Sequence, residues 1–141
     1  MKIVALMILM LTALTAYAET IIVNLGVSSG KREVVMSREV VTSVFLSRRH
    51  YFENGLKVKV FVLPKDNLAT RDFLRHLGIS PSQYFDGLSS QYASGKENVP
   101  TVLDSEAMLV VKVNAVVGAT GYVGNVDLLS NTSYIKIVVV E

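Results

Sequence analysis

Short runs of β-branched residues alternate with segments that carry helix-capping signals, and this alternation restricts the fold more than any other feature of the chain. The strand-like runs are Thr20–Leu25, Lys57–Leu63 and Tyr134–Val140, with shorter apolar stretches at Pro100–Leu103 and Gly118–Gly124. Strands separated by helices need crossover connections, which produce parallel pairing and helices on both faces. We therefore expect an α/β fold with a mainly parallel mixed sheet of about five strands and helices on both faces.

Capping residues predict four helices between these strands. The strongest signal is Ser80-Pro81-Ser82-Gln83, where a serine cap, a proline at the first helical position and a glutamine at the third form a capping box. Val27–Lys31 is predicted to be a loop, and Arg48-Arg49-His50 is placed to close the first helix with positive charge. In chain order, the predicted N-caps are Ser37, Asp66 or Asn67, Ser80, and Asp104 or Ser105.

The first 18 residues have the three parts of a secretory signal peptide. Lys2 supplies the positive charge, Ile3–Ala13 is an uncharged apolar run, and Ala16-Tyr17-Ala18 is an A-x-A cleavage site. The alternative is a membrane anchor, but a spanning helix needs about 20 apolar residues. We expect a signal peptide over residues 1–18 and a single domain over 19–141, periplasmic or secreted, with no membrane span after cleavage.

Composition excludes several classes of function. Beyond residue 18 the chain has 13 Lys and Arg, because Lys2 is removed from the total of 14, against 12 Asp and Glu. A net charge of +1 and no basic stripe argue against a nucleic-acid partner. The chain has no cysteine and only two histidines, so thiolate zinc sites and cysteine nucleophiles are absent. No nucleophile–base or paired-carboxylate pattern is present, and we expect neither an enzyme nor a bound metal or cofactor.

Two short motifs have ordinary structural explanations. Gly118-Ala-Thr-Gly121-Tyr-Val-Gly124 has the spacing G-x-x-G-x-x-G. A dinucleotide site would need a helix opening directly from its end, so tight turns and close packing are the better interpretation. The Arg48-Arg49-His50 cluster could face an anion, but it also suits a solvated helix end.

The segment Lys65–Arg71 is the best candidate for a functional site. It connects a strand to a helix at the carboxyl end of the strand, where open α/β sheets bind ligands. Unpaired amides at a helix N-terminus attract anions. Plain capping of the helix by Asn67, with Arg71 paired to a neighbouring acid, explains the same residues equally well.

The order and spacing of several motifs resemble those of phosphate-type periplasmic solute-binding proteins, over nearly the whole chain after residue 18. Leu63-Pro64-Lys65-Asp66-Asn67 through Phe73 is similar to that family's "L-P-x-D-S…R-x-F" segment, and Gly118–Val123 is similar to its "G-A-I-G-Y-V". Further similar segments follow in the family's order: Val44–Arg49, Phe52, Asn54-Gly55, Leu77–Pro81, Ser94-Gly95, Pro100 and Ser105–Ala107.

The resemblance is to short, single-domain members of the family, described as phosphate ABC transporter substrate-binding-like proteins. It implies a single periplasmic-binding-protein-like lobe, whereas full-length members trap the anion between two lobes. Asn67-Leu68-Ala69 stands where those members have Ser-Gly-Thr, and Leu63 lies near the position of their arginine. The ligand-binding residues that the resemblance implies are Asp66, Asn67, Thr70, Arg71, Ser94 and Gly95.

Two functions are compatible with these features. The first is a solute-binding-like protein for phosphate or another small oxyanion, acting with an envelope transporter or sensor. The second is a non-catalytic cell-envelope adaptor that reuses one binding-protein lobe to contact another protein. In the second case we expect Phe52, Tyr84 and Tyr92 to be exposed anchors on the face that the missing lobe would cover.

Overall fold

The computed structural model describes residues 19–141, in which six strands form one mixed sheet. The strands run in the spatial order β2-β6-β1-β5-β3-β4. The central strand β1 is antiparallel to both of its neighbours, and every other pair is parallel. The predicted signal peptide, residues 1–18, lies outside the described residues. The strands are β1 (Thr20–Asn24), β2 (Glu33–Met36), β3 (Lys59–Val62), β4 (Thr101–Val102), β5 (Ala119–Val123) and β6 (Ile135–Val140).

Four α-helices and one short 3₁₀ helix connect the strands, and each predicted helix is present. Where the sequence left two alternatives for an N-cap, the caps are Asn67 and Ser105. Their side chains accept hydrogen bonds from the N–H groups of Ala69 and Met108, respectively. Helix α1 ends at Phe45, earlier than expected, so Arg48–His50 lies beyond the helix and not in its last turn. The helices are α1 (Arg38–Phe45), α2 (Leu68–Leu77), α3 (Pro81–Ala93), α4 (Glu106–Ala115) and the 3₁₀ helix (Val126–Leu129).

Neighbouring residues of β5 show how the helices cover both faces of the sheet. Tyr122 points to the face that α1 and α2 cover, where it lies against Phe45 and stacks on Phe73 with ring centroids 4.4 Å apart. Gly121 faces the other side, where Leu109 of α4 packs closely against it. The mainly parallel mixed sheet with helices on both faces, predicted from the sequence, is confirmed. Within residues 19–141, no helix is long and apolar enough to cross a membrane.

Strand β2 is the strand that the sequence did not predict, and it raises the strand number from about five to six. It has four residues, lies at the edge of the sheet and pairs only with β6. Glu33 and Val35 are exposed, so the segment lacks the apolar run that identifies a buried strand. Pairing with the strongly β-forming β6 supplies the hydrogen bonds that its own sequence does not favour.

The backbone at Gly118 requires glycine for two separate reasons. Its φ of +89° lies in the left-handed region, and a Cβ there would lie 2.0 Å from the Lys57 carbonyl oxygen. The Gly118 N–H also donates to the Asn24 carbonyl at 2.8 Å. The glycine spacing in this segment therefore serves a tight turn and close packing, as the sequence indicated.

We predict that Gly118→Ala destabilises the protein by at least about 3 kcal/mol, because left-handed strain adds to a backbone clash. Gly30→Ala is the matched control: Gly30 has a φ of +86° with nothing within 4 Å of its Cβ position. It should cost about 1 kcal/mol, from the conformation alone. Urea denaturation of both variants measures the two values, and equal losses would show that the clash is relieved.

Candidate functional site

The carboxyl ends of the parallel strands meet at one edge of the sheet, and the N-termini of several helices open there. We call this the carboxyl edge. Helix α1 follows β2, α2 follows β3, α4 follows β4, and the 3₁₀ helix follows β5. The N-cap side chains at this edge are Ser37, Asn67, Ser105 and Asn125. Because helix N-termini carry partial positive charge and unpaired N–H groups, this edge favours anions.

A closed ring of three hydrogen bonds holds the start of α2 against β3 and β5. The Leu63 N–H donates to the Tyr122 hydroxyl at 3.1 Å, and the Thr70 hydroxyl donates to the Leu63 carbonyl at 3.2 Å. The Thr70 proton is used in that bond, so the 2.8 Å contact between the two hydroxyls has Tyr122 as its donor. All three residues are buried. The ring therefore determines where the N-terminus of α2 lies.

Burial raises the pKa of the Tyr122 hydroxyl to about 12 from its ordinary 10.0. Loss of water around the phenolate is the main cause, and the hydrogen bonds with Thr70 and Leu63 act in the opposite direction. The hydroxyl consequently remains protonated at neutral pH and can donate to Thr70. Tyr122 has a structural role that the sequence did not reveal, because no local feature distinguishes it from an ordinary apolar residue of a strand.

At the N-terminus of α2, the polar residues divide between capping the helix and facing solvent. The Asn67 side chain accepts from the Ala69 N–H at 2.9 Å, which is the capping role. Asp66 is exposed beside it. Within residues 19–141, the N–H groups of Leu68 and Thr70 have no protein acceptor. The amide of the exposed Leu68 is therefore open to an external acceptor, whereas Thr70 is completely buried and its amide is not accessible.

Thr70 and Arg71 point in different directions although they are adjacent in the sequence. Thr70 is completely buried, and its hydroxyl belongs to the hydrogen-bond ring with Tyr122. Arg71 is exposed and lines an open cavity of about 400 Å³ with Arg75 and the turn Gly78–Pro81. The Thr70 side chain is thus withdrawn from the edge, while the Arg71 side chain lies on the outer surface of α2.

Ser94 and Gly95 lie away from the other predicted site residues, beyond the C-terminus of α3. The Ser94 hydroxyl donates to the Gln91 carbonyl at 3.0 Å, and Gly95 has a φ of +71° in the turn that follows. Lys96, next in the chain, reaches the Ser47 carbonyl just beyond the end of α1. Because α1 starts at the carboxyl edge and runs away from it, this position is remote from the start of α2. The sequence had indicated that all six residues line one edge.

Glu106 is a residue at the carboxyl edge that the sequence reasoning did not identify. Its Oε1 accepts from the Gly124 N–H, and from the Asn125 N–H at 3.3 Å. Both amides lie at the end of β5, next to the start of α2. A glutamate in the first turn of a helix is common because it suits the helix dipole. No feature of the sequence shows that this one bonds to amides 18 and 19 residues away.

The exposed charges at the carboxyl edge are mostly negative. Asp66, Asp104 and Asp127 are all exposed, and Lys65 is the basic residue beside the start of α2. Among residues 19–141, no group of three or more histidine, aspartate or glutamate side chains could hold a metal ion. The edge therefore combines attractive helix N-termini with repulsive carboxylates, which limits the affinity for an anion.

The aromatic residues predicted as exposed anchors are mostly in the core, so the prediction is wrong for two of them. Phe52 is 7% exposed and Tyr84 is 6% exposed. The Tyr84 hydroxyl donates to the Phe45 carbonyl at 2.9 Å, which ties α3 to the end of α1. Tyr92 is 54% exposed, although its hydroxyl donates to the Pro100 carbonyl. Tyr84 is buried where it meets the end of α1, and Phe52 belongs to the same hydrophobic core; a local pattern shows neither.

Solved structures share this fold. An ABC-type phosphate transport receptor from Vibrio cholerae superposes with a TM-score of 0.59 at 14% identity, covering 87% of this chain and 46% of the receptor. PstS from Borrelia burgdorferi gives 0.60 at 10% identity, covering 88% and 47%. A structure from Clostridium perfringens that holds bound phosphate gives 0.57 at 12% identity, covering 87% and 44%.

These comparisons establish the fold, a single periplasmic-binding-protein-like lobe, as the sequence predicted. The chain spans less than half the length of each of these three structures. No family model matches the sequence, and no curated protein does. The likeness is therefore one of structure, with sequence identity too low to carry function on its own.

We predict that Tyr122→Phe lowers the free energy of unfolding by about 1–3 kcal/mol, because it leaves the buried Leu63 N–H without an acceptor. The control, Tyr51→Phe, changes an exposed tyrosine and should stay within about 0.5 kcal/mol of the parent. Denaturant titration measures both. An unchanged free energy of unfolding in Tyr122→Phe would show that water or another acceptor replaces the hydroxyl.

The raised pKa of Tyr122 also predicts how stability depends on pH. The folded chain keeps the phenol proton up to about pH 12, whereas the unfolded chain loses it near pH 10.0. Between these values the unfolded state binds fewer protons, so stability present below pH 10 decreases as the pH rises. Burial raises the pKa of Tyr84 as well, so Tyr122→Phe should reduce this decrease and not abolish it. Unfolding free energies from pH 9 to 12 test this, and an unchanged slope would contradict it.

Proposed function

We propose that this chain is a non-catalytic, solute-binding-like protein that binds phosphate or another small oxyanion at the carboxyl edge, in the periplasm or outside the cell. The observation that carries the proposal is the open amide of Leu68 at the start of α2. Helix N-termini at the carboxyl ends of parallel strands bind anions through such groups. The fold shared with a phosphate transport receptor and with a structure that holds bound phosphate supports the same class of ligand.

The predicted site residues contribute to such a site in different ways. Asn67 holds the start of the helix in place, and Thr70 is buried with its hydroxyl in the ring, so it anchors the helix start from inside. The Asp66 carboxylate, beside the start of α2, would accept a hydrogen bond from the O–H of a protonated oxyanion. Arg71 adds positive charge from the outer surface of α2. Ser94 and Gly95 would join the site only after a rearrangement of the chain beyond α3.

A single lobe leaves this site open on one side. Small-ligand sites owe much of their affinity to enclosure, and the chain spans less than half of the structures that it matches. We therefore propose weak binding by this chain alone. A transporter, a sensor or another envelope protein that covers the carboxyl edge would complete the site.

A second candidate function, the adaptor role, has one observation in its favour. Leu68 is 73% exposed, Val126 is 52% exposed and Met108 is 45% exposed, and each lies in the first turn of a helix that opens at the carboxyl edge. Exposed apolar groups of this size are typical of protein contact surfaces. Crosslinking from position 68 in cells tests this function. Recovery of no protein, together with measurable anion binding, would count against it.

Titration of the purified protein with phosphate, sulfate and molybdate tests the oxyanion proposal. We expect millimolar affinity for at least one anion by calorimetry, with an amide shift at Leu68 in NMR spectra. Absence of heat, amide shifts and thermal stabilisation at millimolar anion would refute it.

Two substitutions of Asn67 separate capping from binding. Asn67→Asp retains an equally good cap and places a negative charge beside the open amide. It should keep the melting temperature and weaken anion binding by about tenfold. Asn67→Ala should instead lower stability by about 1 kcal/mol through loss of the cap. Equal anion affinity in the parent and Asn67→Asp would place the anion elsewhere.

A further inference from the structure

The contact between Glu106 and the end of β5 joins a carboxylate to two successive backbone amides. Oε1 of Glu106 accepts from both the Gly124 and the Asn125 N–H. Such paired amides are a usual arrangement for holding an oxygen of an anionic group. The carboxylate at this place belongs to the chain itself, and it comes from a different element, α4.

The same carboxylate lies beside the start of α2. A Cβ built on Gly124 would lie 3.3 Å from Oε1 of Glu106 and 3.6 Å from the Cβ of Ala69. Ala69 follows Leu68, whose amide is open. The carboxylate of Glu106 is therefore next to the place where the proposed oxyanion would bind, and it already uses two of the amides at that place.

Helix capping does not explain this contact. The N-cap of α4 is Ser105, whose hydroxyl accepts from the Met108 N–H at 3.2 Å. Glu106 is half-buried and directs its carboxylate away from the amides of its own helix, toward another segment. A glutamate that only complemented the dipole of α4 would have no need of the amides of Gly124 and Asn125.

We infer that Glu106 is a built-in anionic ligand that occupies part of the oxyanion site and competes with external anions. This inference rests on the proposed function, because it concerns the same site. Carboxylate and phosphate oxygens accept from the same N–H groups, and a tethered group competes at a high effective concentration. Its negative charge also repels an anion at the open amide of α2. Glu106 is thus the residue that sets anion affinity at the carboxyl edge.

Three variants of the full chain test the inference, with sulfate and inorganic phosphate as probes. Glu106→Ala removes the competing group, and we expect sulfate affinity to rise by about tenfold or more. Glu106→Gln keeps an acceptor without the charge, and its affinity should lie between the two. Asp104→Asn is the matched control, since it removes one exposed carboxylate two residues away that contacts neither amide. It should change affinity by no more than about twofold.

NMR spectra locate the effect. In Glu106→Ala the amide signals of Gly124 and Asn125 should shift on addition of sulfate, together with that of Leu68. Without added anion, the same two signals should lie at clearly different positions in the parent and in Glu106→Ala, because the carboxylate accepts from both amides only in the parent. The second measurement tests the contact itself and needs no external ligand.

The outcomes separate the inference from the function on which it rests. If the parent binds an anion and Glu106→Ala gains no more affinity than Asp104→Asn, the inference is overturned and the oxyanion function stands. Absence of binding in the parent with binding in Glu106→Ala supports the inference. If no variant binds either anion while all remain folded, both the function and the competition fail, and a difference in the Gly124 and Asn125 signals between the parent and Glu106→Ala would show that the contact is purely structural.

Discussion

The hydrogen-bond ring of Leu63, Thr70 and Tyr122 is the interaction on which the arrangement of the carboxyl edge depends. It joins the end of β3, the start of α2 and the middle of β5 within the core, so these elements cannot shift independently. Buried polar groups are costly unless all are satisfied, and here each group has a partner. Phe73 stacks on Tyr122 beside the ring, and burial raises the pKa of the Tyr122 phenol.

The ring also determines what α2 can present to a ligand. The Thr70 hydroxyl is committed to the core, so the helix start offers a backbone amide and no hydroxyl. Asn67 is occupied by capping, and Leu68 projects an apolar side chain into solvent. Any anion at this edge would therefore be held chiefly by amides and the helix dipole, which are weaker and less selective than an enclosed set of side chains.

At the carboxyl edge, groups that attract anions lie beside groups that repel them. Several helix N-termini attract negative charge, while the exposed carboxylates and the inward carboxylate of Glu106 oppose it. An acid that bonds to the amides of Gly124 and Asn125 stabilises the apo fold, because those amides keep an acceptor without a ligand. Under the proposed function, the same contact would reduce the free energy that the edge gains from binding an anion.

The sequence by itself determined the elements whose signals are local: five strands (β1, β3, β4, β5 and β6), the four helices, and the caps at Ser37 and Ser80. Apolar periodicity and capping act within a few residues and can be read directly. Tertiary structure alone decided the rest. Strand β2 exists through pairing with β6, Tyr84 is buried by α1, and Glu106 meets Gly124 across 18 residues. These contacts depend on how elements pack, which no local pattern records.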